Sequence, residues 1–423
     1  MIFILGIKNT PFALLGKSHE RVNFIHRLLG IMHAGFFVKH LKERNVPITL
    51  KGHPLTGFIA LMGFLLLGLT SIPAFRSRFY EAFKLFHMIG FVAWILYFVY
   101  EPEKKFILVV GLIMGYESIL TALKTSIKQA TFTSLPGGIT KVEVQNLGAN
   151  WRAGQHVYLR IFTGPRSFEK HPFTIANAPA KFSLSGKDSL ILMAKSTGAF
   201  TKKLYALGLE NPSDSYIESD VEKYSEKKEN KHQLDYVTHS LGSACKVAVE
   251  GPYGSSFVDM NDYETVVLFA GGSGFAYSMA TLEHARSASL DEGITKTIFV
   301  MWALRDLDMV LAFSETLNRV IAAGRVHQMQ IIMRIYKSEP PSYDYLNPVT
   351  DAELVAGRVD PSAIVQEAFE ASFRSIQERG EDRGCGIGVG VCGPEGLTKA
   401  VRAAVASSRP PHILDSGGIK FHS

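Results

Sequence analysis

Three features of the sequence predict a multidomain fold: an α-helical transmembrane bundle, then a small antiparallel β-barrel, then an α/β doubly wound domain. Nearly all of the excess hydrophobicity lies before residue 125. Beyond residue 128, apolar and polar residues alternate as they do in half-buried strands. From residue 264 onward, apolar β-rich runs alternate with helical stretches, which is typical of a parallel sheet. The predicted domain boundaries are 1–128, 129–258 and 259–423.

The first part contains apolar runs long enough to cross a membrane. The strongest is PLTGFIALMGFLLLGLTSIPA (54–74), with about 20 uncharged residues, enough to span ~30 Å of hydrocarbon. Further spans are predicted at 80–100 and 105–124, a weaker one at 22–40, and the end of another helix at 2–16. Close-set runs of this length disfavour the alternative, which is core helices of a soluble protein. The N-terminus lacks a basic region and a cleavage site, so we predict no signal peptide.

The middle part carries two clear strand patterns, KVEVQNL and HVYLRIF. HPFTIANAP (171–179) follows the basic loop GPRSFEK, and by itself it is only a short β-forming run bounded by proline. Residues 210–233 are polar, charged and nearly free of aliphatic side chains. We predict a disordered insertion there, because such a segment cannot bury enough apolar surface to fold.

Charge and cysteine content restrict the possible partners. The formal net charge of +6 would suit nucleic acid or an anionic membrane face. There is no basic stripe with interleaved aromatic residues, which disfavours nucleic acid. Cys245, Cys385 and Cys392 are an odd set at no metal-ligand spacing. They argue against a disulfide scaffold or a zinc site and favour the cytosol for this part of the chain.

Histidines within the predicted spans are candidate haem ligands. His26 and His40 are 14 residues apart, which places them within ~40° of one helix face and ~21 Å apart along the axis. Imidazoles at that separation suit two haems stacked across a bilayer, with His87 on a neighbouring span as an opposite ligand. At the same spacing from His87 the chain has Glu101, which is not a usual axial ligand. His33 lies on the same stripe and is better explained by packing, which is also the alternative for each other histidine taken alone.

Two glycine-rich turns in the last part are candidate dinucleotide sites. Gly271, Gly272 and Gly274 lie between a predicted strand and a helix, where the backbone can approach a pyrophosphate and the helix N-terminus stabilises its charge. The second turn, in GVGVCGPEGLTKAV (388–401), has Cys392 at the carboxyl end of its strand, where open α/β sheets bind ligands. Each turn alone is weak evidence, since any tight turn can require glycine and Cys392 could be a small buried side chain.

The barrel has a third candidate site in LMAKSTGAFTKKL (192–204). Lys195, Gly198 and Thr201 surround a turn at a helix start, and a cation, a glycine and a hydroxyl there suit a pair of phosphates. An ordinary capped helix contains the same residue types. EGPYGSS (250–256) indicates a turn and nothing more.

Taken in order, these segments resemble the fungal ferric or metallo-reductases of the flavocytochrome b group, whose relatives include the NADPH oxidases. The resemblance is carried by KNTPFALLGKSHERVNFIHRLLG, SRFYEAFKLFH, WRAGQHVYLRI, HPFTIANAP, KSTGAFT, VEGPYG, FAGGSGFAYS, MWALRD, GRVDPSAIV and VCGPEG, in chain order. It implies that the barrel binds FAD and the last part binds NADPH, in a fold like that of ferredoxin–NADP reductase. It also implies haem b in the membrane part.

The resemblance gives individual residues a role. Pro172 and Phe173 would lie along the flavin, Thr174 would reach the flavin or its ribityl chain, and His171 would lie near the phosphates. Cys392 would be the catalytic residue beside the nicotinamide. The other implied sites are a pyrophosphate turn at Lys195, Gly198 and Thr201, a nucleotide turn at Gly271, Gly272 and Gly274, a nicotinamide segment at Gly393, Pro394, Glu395 and Gly396, and haem iron ligands at His26, His40 and His87.

The sequence departs from this family in four places. Glu101 stands in place of the fourth haem ligand, so the number of bound haems, one or two, stays open. The chain begins inside the family's membrane domain, and it ends at GGIKFHS, short of the aromatic tail that covers the flavin. These three departures suggest a truncated gene product or a degenerate paralogue. Phe275 replaces a smaller aliphatic residue in the nucleotide turn and is expected to be tolerated.

The resemblance implies electron transfer from NADPH through FAD and haem to a ferric or cupric chelate across the membrane. The inner haem would use His26 and His87, and the outer haem would use His40. The implied location is the plasma membrane, with several spans, cytosolic FAD and nucleotide domains, and lipid as a partner but no nucleic acid. Arg305 could contact a phosphate of NADPH, although a surface arginine is the default explanation. Two alternatives stay open: reduction of dioxygen, and a membrane-tethered flavin diaphorase, which Glu101 and the departures at both ends favour.

Overall fold

The computed structural model divides the chain into two compact units, Met1–Lys124 and Thr125–Ser423. It describes residues 5–11, 19–44, 53–100, 105–148, 151–163, 167, 169–183, 186–209, 244–254, 260–291, 294–326, 328–339, 347–380, 384–408 and 418–422. The predicted insertion at 210–233 and Glu101 lie outside these residues. The three-domain boundaries predicted from the sequence stay a prediction.

The first unit is helical, and four of its helices fall on the four predicted spans. Their bounds are α1 His19–Arg44, α2 His53–Thr70, α4 Tyr80–Tyr100 and α5 Lys105–Leu123, with a short α3, Pro73–Arg78, between α2 and α4. Helix α2 ends at Thr70 rather than at 74, because Pro73 cannot continue a helix and keeps Ile72 extended. Of residues 2–16, predicted to end a helix, the structure describes 5–11, and only 5–6 are α-helical there.

Lys105–Leu123 is long and apolar enough to cross a membrane, the one helix among the described residues that satisfies both criteria. The apolar stretches of α2 and α4 are shorter, Gly57–Thr70 and Ala82–Leu96. In α5, Leu108, Leu112 and Ile119 expose 64%, 66% and 62% of their surface. Large apolar side chains that face outward along one helix suit contact with lipid rather than water.

Helices α2 and α4 approach each other closely through two glycines. A Cβ on Gly63 would lie 2.7 Å from the carbonyl oxygen of Gly90 and 2.9 Å from the backbone nitrogen of Trp94. A Cβ on Gly90 would lie 2.7 Å from the carbonyl oxygen of Gly63. Small residues at a helix crossing are how membrane helices gain van der Waals contact, since lipid supplies no hydrophobic force between them.

Six antiparallel strands form the barrel of the second unit. They are β1 Thr125–Leu135, β2 Ile139–Gln145, β3 His156–Ile161, β4 His171–Thr174, β5 Ser189–Lys195 and β6 Ala244–Tyr253, in the order β4-β3-β6-β1-β2-β5. A bridge between Ile175 and Leu192 joins the two ends of this order and closes the barrel. Helix α6, Ala199–Leu209, packs on β1 where Gly208 meets Ser134. The predicted small antiparallel barrel is confirmed.

A six-stranded parallel sheet forms the rest of the second unit. Its strands are β7 Thr265–Gly271, β8 Thr297–Leu304, β9 Gln330–Lys337, β10 Ala352–Ala356, β11 Ile387–Cys392 and β12 Ile419–His422, in the order β10-β9-β8-β7-β11-β12. The helices are α7 Phe275–Asp291, α8 Asp308–Val326, α9 Pro361–Arg379 and α10 Glu395–Ser407. Val266 and Leu268 of β7 face one core, with Phe313 of α8, while Val267 faces the other, with Val365 of α9. The predicted doubly wound fold is confirmed, and β10 and β12 are two edge strands that the sequence pattern did not reveal.

The glycine crossing gives a test of the helix packing in the first unit. We expect Gly63→Ala to lower the free energy of unfolding of the detergent-solubilised protein by on the order of 1–3 kcal/mol, and with it the melting temperature. The new methyl would meet backbone atoms of α4 that cannot move aside. Gly68→Ala is the matched control on the same helix, since nothing lies within 4 Å of its Cβ position. It should be neutral or stabilising by up to ~1 kcal/mol, as alanine favours helices. Equal melting temperatures for the two variants would contradict this packing.

Candidate functional site

The nucleotide side of the candidate site lies where the strand order of the parallel sheet reverses. Strands β7 and β11 are neighbours, yet the chain leaves β7 for β8 on one side and returns to β11 on the other. Open α/β sheets bind ligands in the crevice at the carboxyl ends of two such strands. Strand β7 ends at Gly271 and β11 at Cys392, so both predicted turns border this crevice.

The two turns touch each other through their backbones. A Cβ on Gly271 would lie 2.5 Å from Cδ of Pro394, and one on Gly274 would lie 2.4 Å from the carbonyl oxygen of Cys392. A Cβ on Gly393 would lie 2.9 Å from the backbone nitrogen of Gly271. Glycine is therefore required here for close approach, and the structure brings together the residues that the sequence placed in separate motifs.

The first turn is held from beneath by an aromatic stack. Phe275, the first residue of α7, stacks on Trp302 with ring centroids 3.9 Å apart, and Phe313 meets both rings edge-on. The indole N–H of Trp302 donates a hydrogen bond to the carbonyl oxygen of Gly272 (2.9 Å). The large aromatic at 275 is fully buried in this stack, which explains how the turn accommodates it.

The thiol of Cys392 is half-buried at the carboxyl end of β11. Its Sγ would lie 3.2 Å from a Cβ on Gly274, and burial raises the pKa of the thiol. Tyr277 of α7 packs against Gly390, two residues before Cys392 in β11. Its hydroxyl lies 2.6 Å from the Cβ position of Gly390. Glu395, in contrast, is exposed, and its hydrogen bond and ion pair with Lys399 (2.7 Å) lower the pKa of its carboxyl. Within this segment, only Cys392 has a side chain that is both shielded from solvent and shifted in pKa.

The predicted flavin strand, β4, presents its residues to two different sides. It pairs with β3 in the register His171 to Leu159 and Pro172 to Tyr158. Because side chains alternate along a strand, His171 and Phe173 share one face, and Pro172 and Thr174 share the other. The four residues predicted to contact FAD therefore do not share a face, and Pro172 and Phe173, both expected along the flavin, lie on opposite sides.

Phe200 connects the flavin strand with the predicted phosphate turn. The His171 ring lies 4.2 Å from the Phe200 ring, and Phe173 stacks on the same ring at 6.2 Å. Phe200 is the second residue of α6 and directly precedes Thr201. The structure thus brings His171 and Phe173 to the N-terminus of α6, where phosphate groups are favoured.

Thr201 shapes the phosphate turn itself. Its hydroxyl oxygen accepts hydrogen bonds from the backbone N–H groups of Thr197 and Gly198, both at 3.0 Å, and donates to the carbonyl oxygen of Gly198 (3.1 Å). Lys195 ends β5 directly before this turn, and Gly198 has open space around it. The arrangement leaves a cation and an accessible backbone at one helix start.

The other face of β4 lies beside a cluster that sequence reasoning missed. The rings of His156, Tyr158 and Tyr253 lie 5.6–6.1 Å apart in pairs. Behind them Glu250, 5% exposed, accepts hydrogen bonds from Lys170 (2.7 Å) and from the hydroxyl of Tyr253 (3.0 Å). The sequence showed only a turn at EGPYG, but a glutamate at the end of an apolar strand was a signal of a buried ion pair.

Asn177, also missed, fixes the end of the flavin segment. It is 5% exposed, and its amide nitrogen donates to the carbonyl oxygens of Ala178 (3.0 Å) and Ser189 (2.8 Å). Its amide oxygen accepts from the backbone N–H of Ile191 (2.9 Å). Asn177 thereby fastens HPFTIANAP to β5 beside the bridge that closes the barrel.

In the first unit, His26 and His87 lie within range of each other's charge. Gly6 leaves room for the His26 imidazole, because a Cβ there would lie 3.1 Å from its Cε1 atom. Nδ1 of His87 lies 3.3 Å from the hydroxyl of Ser71. His33 instead packs edge-on against Phe64 and Trp94 at 5.6 and 5.5 Å. The side chain of His40 lies outside the described residues.

Three protein families match successive parts of the chain. Residues 1–98 match the ferric reductase like transmembrane component, residues 124–257 an FAD-binding domain, and residues 263–347 the ferric reductase NAD binding domain. The chain belongs to the ferric reductase and NADPH oxidase superfamily. It is a membrane oxidoreductase with FAD-binding and NAD(P)-binding domains.

Curated relatives in this superfamily cover most of the chain at low identity. Ferric/cupric reductase transmembrane component 2 of Schizosaccharomyces pombe is 25% identical, over 87% of this chain and 70% of the relative. The probable cell surface ferric reductase kap2 of Aspergillus oryzae is 28% identical, over 73% of this chain and 42% of the relative. Dual oxidase 2 of Sus scrofa is 23% identical, over 82% of this chain and 22% of the relative. The chain thus spans less than half the length of the second and third relatives.

The burial of Cys392 gives a pH-dependent test in this superfamily member. Since only the thiolate reacts and burial raises the pKa of this thiol, its alkylation by iodoacetamide should keep accelerating above the pH at which a small free thiol, with a pKa of about 8.5, has levelled off. The rates would be measured by mass spectrometry in a Cys245→Ser, Cys385→Ser variant. An inflection at or below that of the free thiol would mean that Cys392 is not protected as described.

Proposed function

We propose that this chain is a membrane ferric-chelate reductase that passes electrons from NADPH through FAD and haem to ferric or cupric ions. The observation that carries the proposal is the succession, in one chain, of matches to a ferric reductase like transmembrane component, an FAD-binding domain and a ferric reductase NAD binding domain. Names of relatives support the acceptor, since the first two reported above are ferric reductases.

The residues of the second unit would hold both cofactors. His171, Phe173 and the turn at Lys195, Gly198 and Thr201 converge at the start of α6, which suits the flavin and its pyrophosphate. Pro172 and Thr174 face the ring cluster of Tyr158 and Tyr253 on the other side of the strand, and the flavin would meet one of these two faces. FAD, when bound, accepts a hydride from the nicotinamide and releases electrons singly.

The crevice between β7 and β11 would hold the dinucleotide. The side-chain-free backbone at Gly271, Gly272 and Gly274 can approach a pyrophosphate, and the N-terminus of α7 stabilises its charge. Gly393, Pro394, Glu395 and Gly396 would border the nicotinamide, with the neutral Cys392 thiol as its neighbour. The choice of NADPH over NADH rests on family resemblance, with Arg305 as an exposed candidate for the extra phosphate.

The haem assignment rests on two imidazoles from different helices that lie within range of each other's charge, and on helices that do not pack tightly together. His26 and His87 belong to α1 and α4, whose described residues make little or no close backbone contact, in contrast to α2 and α4. A planar group between two imidazoles requires helices that are not tightly packed. These two side chains would hold the inner haem iron, and His40 would serve an outer haem if one is bound.

The membrane placement follows from the proposed electron path. Several of the helices α1, α2, α4 and α5 would cross the plasma membrane, with the FAD and nucleotide domains in the cytosol. The metal chelate would be reduced on the opposite side, and lipid would surround the outward-facing apolar side chains of α5. The three predicted domains, 1–128, 129–258 and 259–423, would correspond to these tasks.

Two other activities have specific support. The likeness to dual oxidase 2 favours dioxygen as the final acceptor. Glu101, in place of a fourth imidazole, favours a flavin diaphorase without full transmembrane transfer. Each differs from a metalloreductase in a product that can be measured.

The haem assignment is tested by absorption spectra of the purified full chain. We expect a dithionite-reduced bis-histidine haem spectrum that is lost or strongly diminished in His26→Ala and in His87→Ala, because each removes one axial ligand. His33→Ala is the matched control on α1, and it should keep the spectrum, since His33 packs on Phe64 and Trp94. Absence of haem from the unmodified chain, with FAD still bound, would instead support the diaphorase.

The acceptor is tested by product yields with the reconstituted protein. We expect NADPH-driven formation of ferrous chelate to exceed superoxide formation, and to fall at least tenfold in His87→Ala while reduction of a soluble dye by the flavin persists. Superoxide as the main product would favour the oxidase alternative. A clear preference for NADH over NADPH would overturn the choice of reductant.

A further inference from the structure

Helix α7 connects the two halves of the second unit through a buried carboxylate. Glu283 is 4% exposed. Its Oε2 accepts a hydrogen bond from the backbone N–H of Ala178 (2.7 Å), and its Oε1 accepts one from the hydroxyl of Ser183 (3.1 Å). Both donors lie in the segment that directly follows the flavin strand. Next to them the Phe182 and His284 rings lie 4.5 Å apart, so the contact continues along the helix.

A second contact ties α7 to the same part of the barrel. The ring of Tyr277 lies 3.0 Å from the Cβ position of Gly154. The loop of Gly154 is bound to the flavin segment, because Trp151 Nε1 donates to the carbonyl oxygen of Asn177 (3.0 Å) and the Ile175 N–H donates to that of Gln155 (3.0 Å). The flavin segment and this loop therefore act as one body.

The two contacts fix how α7 sits against that body. Tyr277 and Glu283 are six residues apart, which is ~9 Å along a helix. A helix held at two points ~9 Å apart cannot slide or rotate without breaking one of them. The first residue of α7, Phe275, follows the turn that packs on Cys392, so the position of α7 also sets the position of the nucleotide crevice.

We propose that Glu283 is a positioning residue for hydride transfer: it sets the distance between the flavin segment and the nicotinamide turn. The inference rests on the proposed function. In that step the C4–H bond of the nicotinamide breaks, and the hydride carries both electrons to N5 of the flavin. Such transfers need reacting atoms ~3–3.5 Å apart, and a ~1 Å misplacement costs about 100-fold in rate. A positioning residue that is remote from the reacting atoms can therefore control the rate.

The decisive variant is Glu283→Ala in the purified full chain with FAD bound. We expect the limiting rate of flavin reduction at saturating NADPH to fall by roughly tenfold or more, with a smaller change in KM, because geometry rather than binding is altered. The kinetic isotope effect with NADPH deuterated at the transferred position should rise as hydride transfer becomes slower. Glu283→Gln should recover most of the rate, since its amide oxygen can still accept from the Ala178 N–H.

A second readout needs no cofactor. In hydrogen–deuterium exchange, the peptide spanning residues 175–183 should exchange faster in Glu283→Ala, because the Ala178 N–H loses its acceptor. The matched control is Glu264→Ala, which removes a carboxylate that is 2% exposed and bonded to Ser375 and Arg379 within the same α/β domain. It should lower stability without slowing flavin reduction or exposing 175–183.

The outcomes distinguish a failure of the positioning role of Glu283 from a failure of the proposed function. If NAD(P)H does not reduce the flavin of the unmodified chain, the proposed function is wrong, and the positioning role with it. If the unmodified chain works and Glu283→Ala reduces its flavin at the same rate, or Glu264→Ala is equally slow, the positioning role alone is wrong. Should Glu283→Ala fail to fold, Ser183→Ala replaces it, since it deletes one donor and should slow flavin reduction by roughly two- to fivefold.

Discussion

The close contact between two glycine-lined turns is the constraint on which the nucleotide side of this protein depends. At Gly271, Gly274 and Gly393 the backbones approach until no Cβ would fit. The surface at the carboxyl ends of β7 and β11 therefore consists mainly of peptide groups rather than side chains. Peptide N–H groups and a helix N-terminus are what a pyrophosphate binds, so the packing requirement and the chemical requirement are met by the same residues.

The frame around that contact extends into the barrel. Asn177 fastens the flavin segment to β5, and Phe200 brings His171 to the start of α6. Through Ala178 the same segment reaches Glu283 on α7. Hydrogen bonds and ring contacts therefore connect the flavin segment of the barrel with the nucleotide crevice of the parallel sheet. A reaction between two bound cofactors requires such a fixed relation.

The sequence predicted the elements of this fold better than the relations between them. Alternation over KVEVQNL and the β-rich runs at ETVVLFA and GIGVGVC located strands correctly, because side-chain period and burial are local properties. The end of α2 was misplaced because hydropathy continues through Ser71 and Ile72 while Pro73 breaks the helix. Glu283 could not be found at all: its donors lie about a hundred residues away in sequence, and no local pattern encodes such a pair.

The indole of Trp302 carries a consequence of its own. The chain has three tryptophans, and the other two, Trp94 and Trp151, lie in the membrane unit and the barrel. Trp302 alone is stacked under the nucleotide turn and bonded to it at Gly272. The membrane unit, the barrel and the parallel sheet therefore each contain one tryptophan, and the indole emission of Trp302 reports directly on the peptide that a dinucleotide would touch.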